Sequence, residues 1–388
     1  MTRDLSLSAV MAGLIAVIVS YAGPLALVFQ AAHGAGLAHD MISSWIGAIS
    51  IGSGLAAIVL SLAFKAPVIT AWSTPGAALL VLALPHTPYP EAIGAFVFAA
   101  GVCTLIGISG LFDSVVSRIP RGIAAAMLAG ILFHFGARIF EQFSGSPWAI
   151  GIMILAYLLV KRIAPRYAIT AVLLIGLAVA GVNGEMQAHA LSLDLATPVF
   201  TTPAFSWKTT VSLGIPLALV TLTGQFVPGV AVLRTFGYLT PANPLVWVTS
   251  AIALMLAPFG SHGINLAAIT AAICSGREAH PDPSKRYVAG VSLGVFYIVA
   301  GIFGATLAGV FAALPAAIIT TLAGLALLSA ISNGLTTAMS DEQSRESALI
   351  TFLATASGAT FLGLGSAFWG LLLGLSAHAI LNFWSNRN

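Results

Sequence analysis

The chain has 388 residues, 59% of them hydrophobic and only 7% charged, with a mean hydropathy of +1.01. A water-soluble domain carries about 25% charged residues, so a soluble globular core is excluded. The net charge of +3 comes without any basic tract that would suit nucleic acid, and the two cysteines, Cys103 and Cys274, fit neither a disulfide framework nor a metal motif.

A helix that crosses a bilayer needs roughly 20 apolar residues. Apolar blocks at 8–31, 41–63, 67–84, 91–113, 119–138, 147–161, 166–182, 209–232, 244–258, 260–275, 287–310, 314–337, 347–364 and 366–384 predict an all-α polytopic membrane protein of about fourteen spans. Three of them, 67–84, 244–258 and 260–275, look too short for a full crossing. The first block is too long for a cleavable signal peptide and no cleavage site follows it.

In chain order, the first span carries Tyr21 just before Gly23-Pro24, with Gln30 two turns on. The third opens at Ala66-Pro67-Val68 and continues through Trp72, Ser73, Thr74 and Pro75-Gly76. A polar stretch, 183–208, separates the halves. The eighth span holds Thr221, Thr223, Gln225 and Phe226 ahead of Pro228-Gly229. The tenth follows Ala257-Pro258-Phe259 with Gly260, Ser261, His262, Gly263 and Asn265.

These landmarks recur. Pro67 and Pro258 lie 191 residues apart, and Pro120 and Pro315 lie 195 apart. Gly107 and Gly110 near the end of the fourth span match Gly301 and Gly304 near the end of the eleventh, and Met127–Leu132 echoes Thr321–Ala326. The chain therefore reads as two repeats, 1–182 and 209–388, joined by the linker 183–208. Seven spans per repeat is an odd number, so the halves must insert with opposite topology. Placing the N-terminus in the cytoplasm puts thirteen of the fifteen Lys and Arg inside, leaving Arg138 and Lys208 outside, and predicts both termini inside.

Interrupted spans in corresponding halves point to a transporter's binding site. If Pro75-Gly76 and Gly260–Gly263 start two half-helices, their N-termini share one cavity, each with roughly half a positive charge and unpaired N–H groups. Together they suit a single carboxylate or similar anion. Ser73, Thr74 and Ser261 are the expected caps or hydroxyl donors. All twelve Asp and Glu fall in loops or at span ends, which disfavours a cation. His262 is the intramembrane titratable group, either contacting the anion or sitting neutral against a carbonyl, and Asn265 is expected on its helix face. Thr223 and Gln225 serve ligand contact or helix packing, and Tyr21, Trp72, Phe226 and Phe259 offer aromatic walls.

The strings at 70–80, 258–274 and 278–283, with Ala367-Phe368-Trp369-Gly370, resemble the benzoate:proton symporter family. The resemblance runs essentially end to end. It implies import of benzoate or a similar aromatic acid with protons across a bacterial inner membrane. It also implies kinship with the nucleobase and sulfate permeases built as 7+7 inverted repeats, with half-helices in spans 3 and 10. Spans 1–4 and 8–11 would then form a core, spans 5–7 and 12–14 a gate, and the gate a homodimer contact. Nucleobase carriers of that fold use glutamates in spans 8 and 10; here those stretches offer Gln225 and Ser261-His262.

The expectation is thus a secondary carrier for a small aromatic carboxylate, with substrate contacts from Tyr21, Trp72, Ser73, Thr74, Gly76, Thr223, Gln225, Phe226, Gly260, Ser261, His262, Gly263 and Asn265. Proton coupling would run through His262 or through the acid itself. No cofactor or metal is implied, and no nucleophile–base pair suggests an enzyme. An inorganic anion carrier, for sulfate or bicarbonate, and an anion channel stay open as rivals.

Overall fold

The computed structural model describes residues 4–186, 193–362 and 364–383. Arg3 and Arg387 of the charge pattern lie outside them.

The first half opens with α1 (Leu7–Ala22) and α2 (Pro24–Gly34), one span bent where Gly23 precedes a proline. Then come α3 (His39–Phe64), the short strand β1 (Thr70–Trp72), the half-helix α4 (Thr74–Ala83), α5 (Tyr89–Ile108), the one-turn α6 (Phe112–Ser117), α7 (Arg121–Glu141), α8 (Pro147–Ile163) and α9 (Ala168–Val182).

The second half begins with α10 (Trp207–Thr209), α11 (Ile215–Thr221) and α12 (Val227–Thr235), which two π-helical turns, Thr210–Gly214 and Leu222–Phe226, join into one rod. It continues with α13 (Ala242–Leu256), β2 (Ile264–Leu266), the half-helix α14 (Ala268–Ser275), α15 (Tyr287–Ile302), α16 (Gly304–Ala312), α17 (Ala316–Met339), α18 (Arg345–Ala356) and α19 (Ser366–Phe383).

Among the described residues, eight helical stretches are long and apolar enough to cross a bilayer. The expected short ninth span is one of them, because a 3₁₀ turn extends α13 to Phe259. The block 347–364 is helical only to Ala356, after which Gly358 takes a left-handed turn. Pro228-Gly229 does not break the eighth span. Pro228 enters at the first turn of α12, just after the π turn, where a missing N–H disturbs least.

The repeat is legible in the packing. α3 lies along α15 and its counterpart α13 lies along α5, while α7 and α17 pair with each other, and α8–α9 and α18–α19 form equivalent hairpins. At the α3–α15 contact a Cβ on Gly54 would run into the Gly294 carbonyl, and one on Gly294 into that of Gly54. Without side chains there the two backbones approach closely, which is how helices gain packing energy in lipid. The linker after residue 192 lies across one end of this group, with Ala196 N–H on the Ile302 carbonyl, Thr201 N–H on Pro258 and Ala204 N–H on Pro90. That the halves insert oppositely is visible at the centre: β1 and β2, equivalent in the repeat, pair antiparallel.

Candidate functional site

The two broken spans meet in that strand pair. Thr70 faces Leu266, Ala71 faces Asn265 and Trp72 faces Ile264. The ladder extends through Ala267 N–H to the Ile69 carbonyl at 2.9 Å and Ser73 N–H to the Gly263 carbonyl at 3.3 Å. Non-helical backbone inside a bilayer has no water to bond, so each unwound stretch completes the other.

α4 starts at Thr74, one residue ahead of the expected Pro75-Gly76, and Ser73 is its cap, Oγ accepting from Gly76 N–H at 3.0 Å. The second half-helix starts later than expected, at Ala268. Gly260–Gly263 is instead a tight turn into β2. Gly260 has φ +104, and a Cβ there would lie 2.9 Å from that of Trp45. That left-handed turn stops helix formation and lets the chain re-enter as a strand.

Two consequences correct the sequence reading. Ser261 is buried but caps nothing, and Asn265 sits on a strand rather than on a helix face shared with His262. The helix starts also flank the strand pair instead of converging on a point. Ser73 and Ala267 stand four residue steps apart, roughly 13 Å at strand rise. Among the described residues no side chain caps α14, so its first-turn N–H groups keep their donor capacity.

His262 is almost fully buried and uses both ring nitrogens. Trp45 Nε1–H donates to Nδ1 at 3.0 Å, and Nε2 lies 3.0 Å from the Ser73 carbonyl. An indole N–H only donates and a carbonyl only accepts. The pair therefore fixes the neutral tautomer with the proton on Nε2. A second proton on Nδ1 would oppose two N–H groups. The ring is a strut joining α3 to the cap of α4.

Tyr21, Trp72 and Tyr297 form one aromatic cluster, with ring centroids 5.1 Å apart for Tyr21–Trp72 and 5.7 Å for Trp72–Tyr297. Tyr21 Oη donates to Ser50 Oγ. Phe226 instead packs on Phe112 at 6.3 Å, so its ring is spent on packing. Thr223 donates to the Leu219 carbonyl at 2.8 Å, and Thr223 and Gln225 are half-buried on the π turn, which touches both β2 and α7. Gly76 and Gly263 are buried, Thr74 half-buried. Asn265, its amide without a partner among the described residues, faces a cavity of about 10 Å³ shared with Thr221, Ser250 and Cys103. That is room for about one water. The large cavity, about 550 Å³, lies elsewhere, between α1 and α14 on one side and α8, α9 and α17 on the other.

All twelve acidic residues lie at helix ends or in loops: Glu91, for example, opens α5 and accepts from Thr209, and Asp4 accepts from Tyr287 Oη. Sequence reasoning missed Trp45 and Tyr297. Each looks like an ordinary lipid-embedded aromatic until the fold brings it to the broken spans.

A family profile described as the benzoate membrane transport protein matches residues 3–380. The chain belongs to this family. It is 47% identical over 379 residues to the benzoate membrane transport protein of Acinetobacter baylyi, covering 98% of this chain and 96% of that one. It is 43% identical over 378 residues to the inner membrane protein YdcO of Escherichia coli, covering 97% of each. SLC26A9 superposes with a TM-score of 0.64 at 14% identity, over 99% of this chain and 66% of that chain. At that identity the likeness speaks for the fold, the two seven-span inverted repeats. Family membership makes this benzoate-transport homologue a multi-pass membrane transport protein and not an enzyme.

Proposed function

We propose that the protein is a secondary active carrier that moves benzoate or a similar aromatic carboxylate together with protons across a bacterial inner membrane. The observation that carries this reading is the antiparallel crossing of two unwound spans, each leading into a helix N-terminus, in a bilayer interior without a carboxylate. Helix N-termini favour anions, and the names of the relatives supply the aromatic acid.

In this reading the carboxylate lies along the strand pair toward the uncapped first turn of α14, with Thr74, Thr223 and Gln225 at its border and the Tyr21–Trp72 cluster behind. Elements α1–α5 and α10–α15 act as the core; α7–α9 and α17–α19 act as the gate, which also carries the homodimer contact. Both termini face the cytoplasm, as the Lys and Arg distribution supports. Because His262 is engaged on both nitrogens, the coupled proton enters with the substrate rather than on that ring.

Uptake of labelled benzoate into proteoliposomes under an imposed pH gradient tests this. An inward proton gradient is expected to accelerate uptake; indifference to the gradient would remove symport, and stabilisation by sulfate but not by benzoate in a thermal-shift panel would replace the substrate.

A further inference from the structure

The cavity beside Asn265 at the half-helix crossing is about 10 Å³, whereas the cavity between α1 and α14 on one side and α8, α9 and α17 on the other is about 550 Å³. Its walls are mainly apolar, with Val19 and Ile273 on one side and Ile169 and Leu325 on the other. Lys161 stands among them. Lys161 Nζ donates to Tyr157 Oη at 2.6 Å and to Ser329 Oγ at 3.0 Å. Both partners are neutral, and among the described residues no carboxylate pairs with this ammonium. An ammonium has three donors, so one is left for a further acceptor. Arg277 and Glu278 also line the cavity. Two cations against one anion leave it net positive.

We propose that this cavity is a second binding subsite for the aromatic carboxylate, on the membrane face that holds Lys161 and Arg277, with the carboxylate on Lys161 Nζ and the ring against the apolar wall. An apolar pocket with a few convergent polar groups is the usual form of a small-molecule site. The ammonium is pre-positioned by Tyr157 and Ser329, so little side-chain entropy is lost when the anion arrives. One wall comes from α1 and α14 and the other from α8, α9 and α17, so a ligand here touches both groups that move in the transport cycle. It acts as a staging point between the crossing and the water on that face. This rests on the reading of the chain as an aromatic-acid carrier.

The test compares labelled benzoate flux from each membrane face in oriented proteoliposomes of wild-type protein, Lys161→Gln and Lys161→Arg. Lys161→Gln is expected to raise the half-saturating benzoate concentration about tenfold from the Lys161 face, the loss of one hydrogen bond to a charged group. It should leave the opposite face unchanged, and Lys161→Arg, which keeps the cation, should stay near wild type. If Lys161→Gln fails to assemble, Ser329→Ala, which frees the ammonium from one anchor, is expected to give a smaller shift on the same face only. An equal shift from both faces, or none from either, overturns the subsite while leaving the carrier intact. Wild-type protein that neither binds nor moves benzoate overturns both.

Discussion

His262 offers the sharpest test, because a strut and a proton carrier respond differently to the same substitution. In His262→Ala, Trp45 Nε1–H and the Ser73 carbonyl both lose their partner in a buried setting. Each unsatisfied buried group costs about 1–3 kcal/mol, so the two together cost about 2–6 kcal/mol, before any cavity left by the ring. His262→Gln keeps one acceptor and one donor in a side chain of similar reach. Its amide oxygen can accept from Trp45 and its amide nitrogen can donate to Ser73. The expected result is a large fall in the thermal midpoint of the detergent-solubilised Ala variant and substantial recovery in the Gln variant. Glutamine does not titrate near neutral pH, yet the Gln variant should retain acceleration of benzoate uptake by an inward proton gradient. A Gln variant that is folded and binds benzoate, but no longer responds to the gradient, would refute the argument and make the imidazole the proton carrier.

Gly229 abuts the strand pair so closely that a Cβ there would overlap that of Leu266. Gly229→Ala should therefore displace the π-containing eighth span and cost about 1–3 kcal/mol, read as a lower thermal midpoint with reduced uptake. Gly260→Ala combines a left-handed φ of +104 with a clash against Trp45. It should cost about 1–2 kcal/mol from backbone strain alone, and a variant as stable as wild type would remove the turn from the account. Ser73→Ala loses the cap of α4 and should cost about 1 kcal/mol; an unchanged midpoint would mean that Oγ does not hold Gly76 N–H. In the exposed loop after α14, the Ser284 hydroxyl and then its backbone N–H, both donated to Oδ1, hold the Asp282 carboxyl below its ordinary value. Its folded-state pKa is depressed, so the stabilisation is present above the unfolded carboxylate range and fades as pH falls through the folded value. Proteolytic nicking of that loop should rise only on acidification, and Asp282→Asn should abolish the pH dependence.

Much of this protein was legible in its sequence because the bilayer is an unforgiving solvent. Apolar run length sets the spans, the placement of Lys and Arg suggests their orientation, and the twelve acids are kept out of the span centres. The first break was also readable, since Ser73, Pro75 and Gly76 form a local cap-and-start signal. The second was not. Gly260 to Ala267 could continue into a helix as far as local preference goes, and only pairing with residues nearly two hundred positions away holds it as a strand until Ala268. The role of His262 was likewise undecidable from its neighbours, because its tautomer is set by Trp45, 217 residues distant. Hydrophobic period and charge are properties of short segments and survive in the linear chain. Strand register, ring protonation and the cavity between α1, α14 and α8, α9, α17 belong to contacts between segments, and exist only once the two halves have packed.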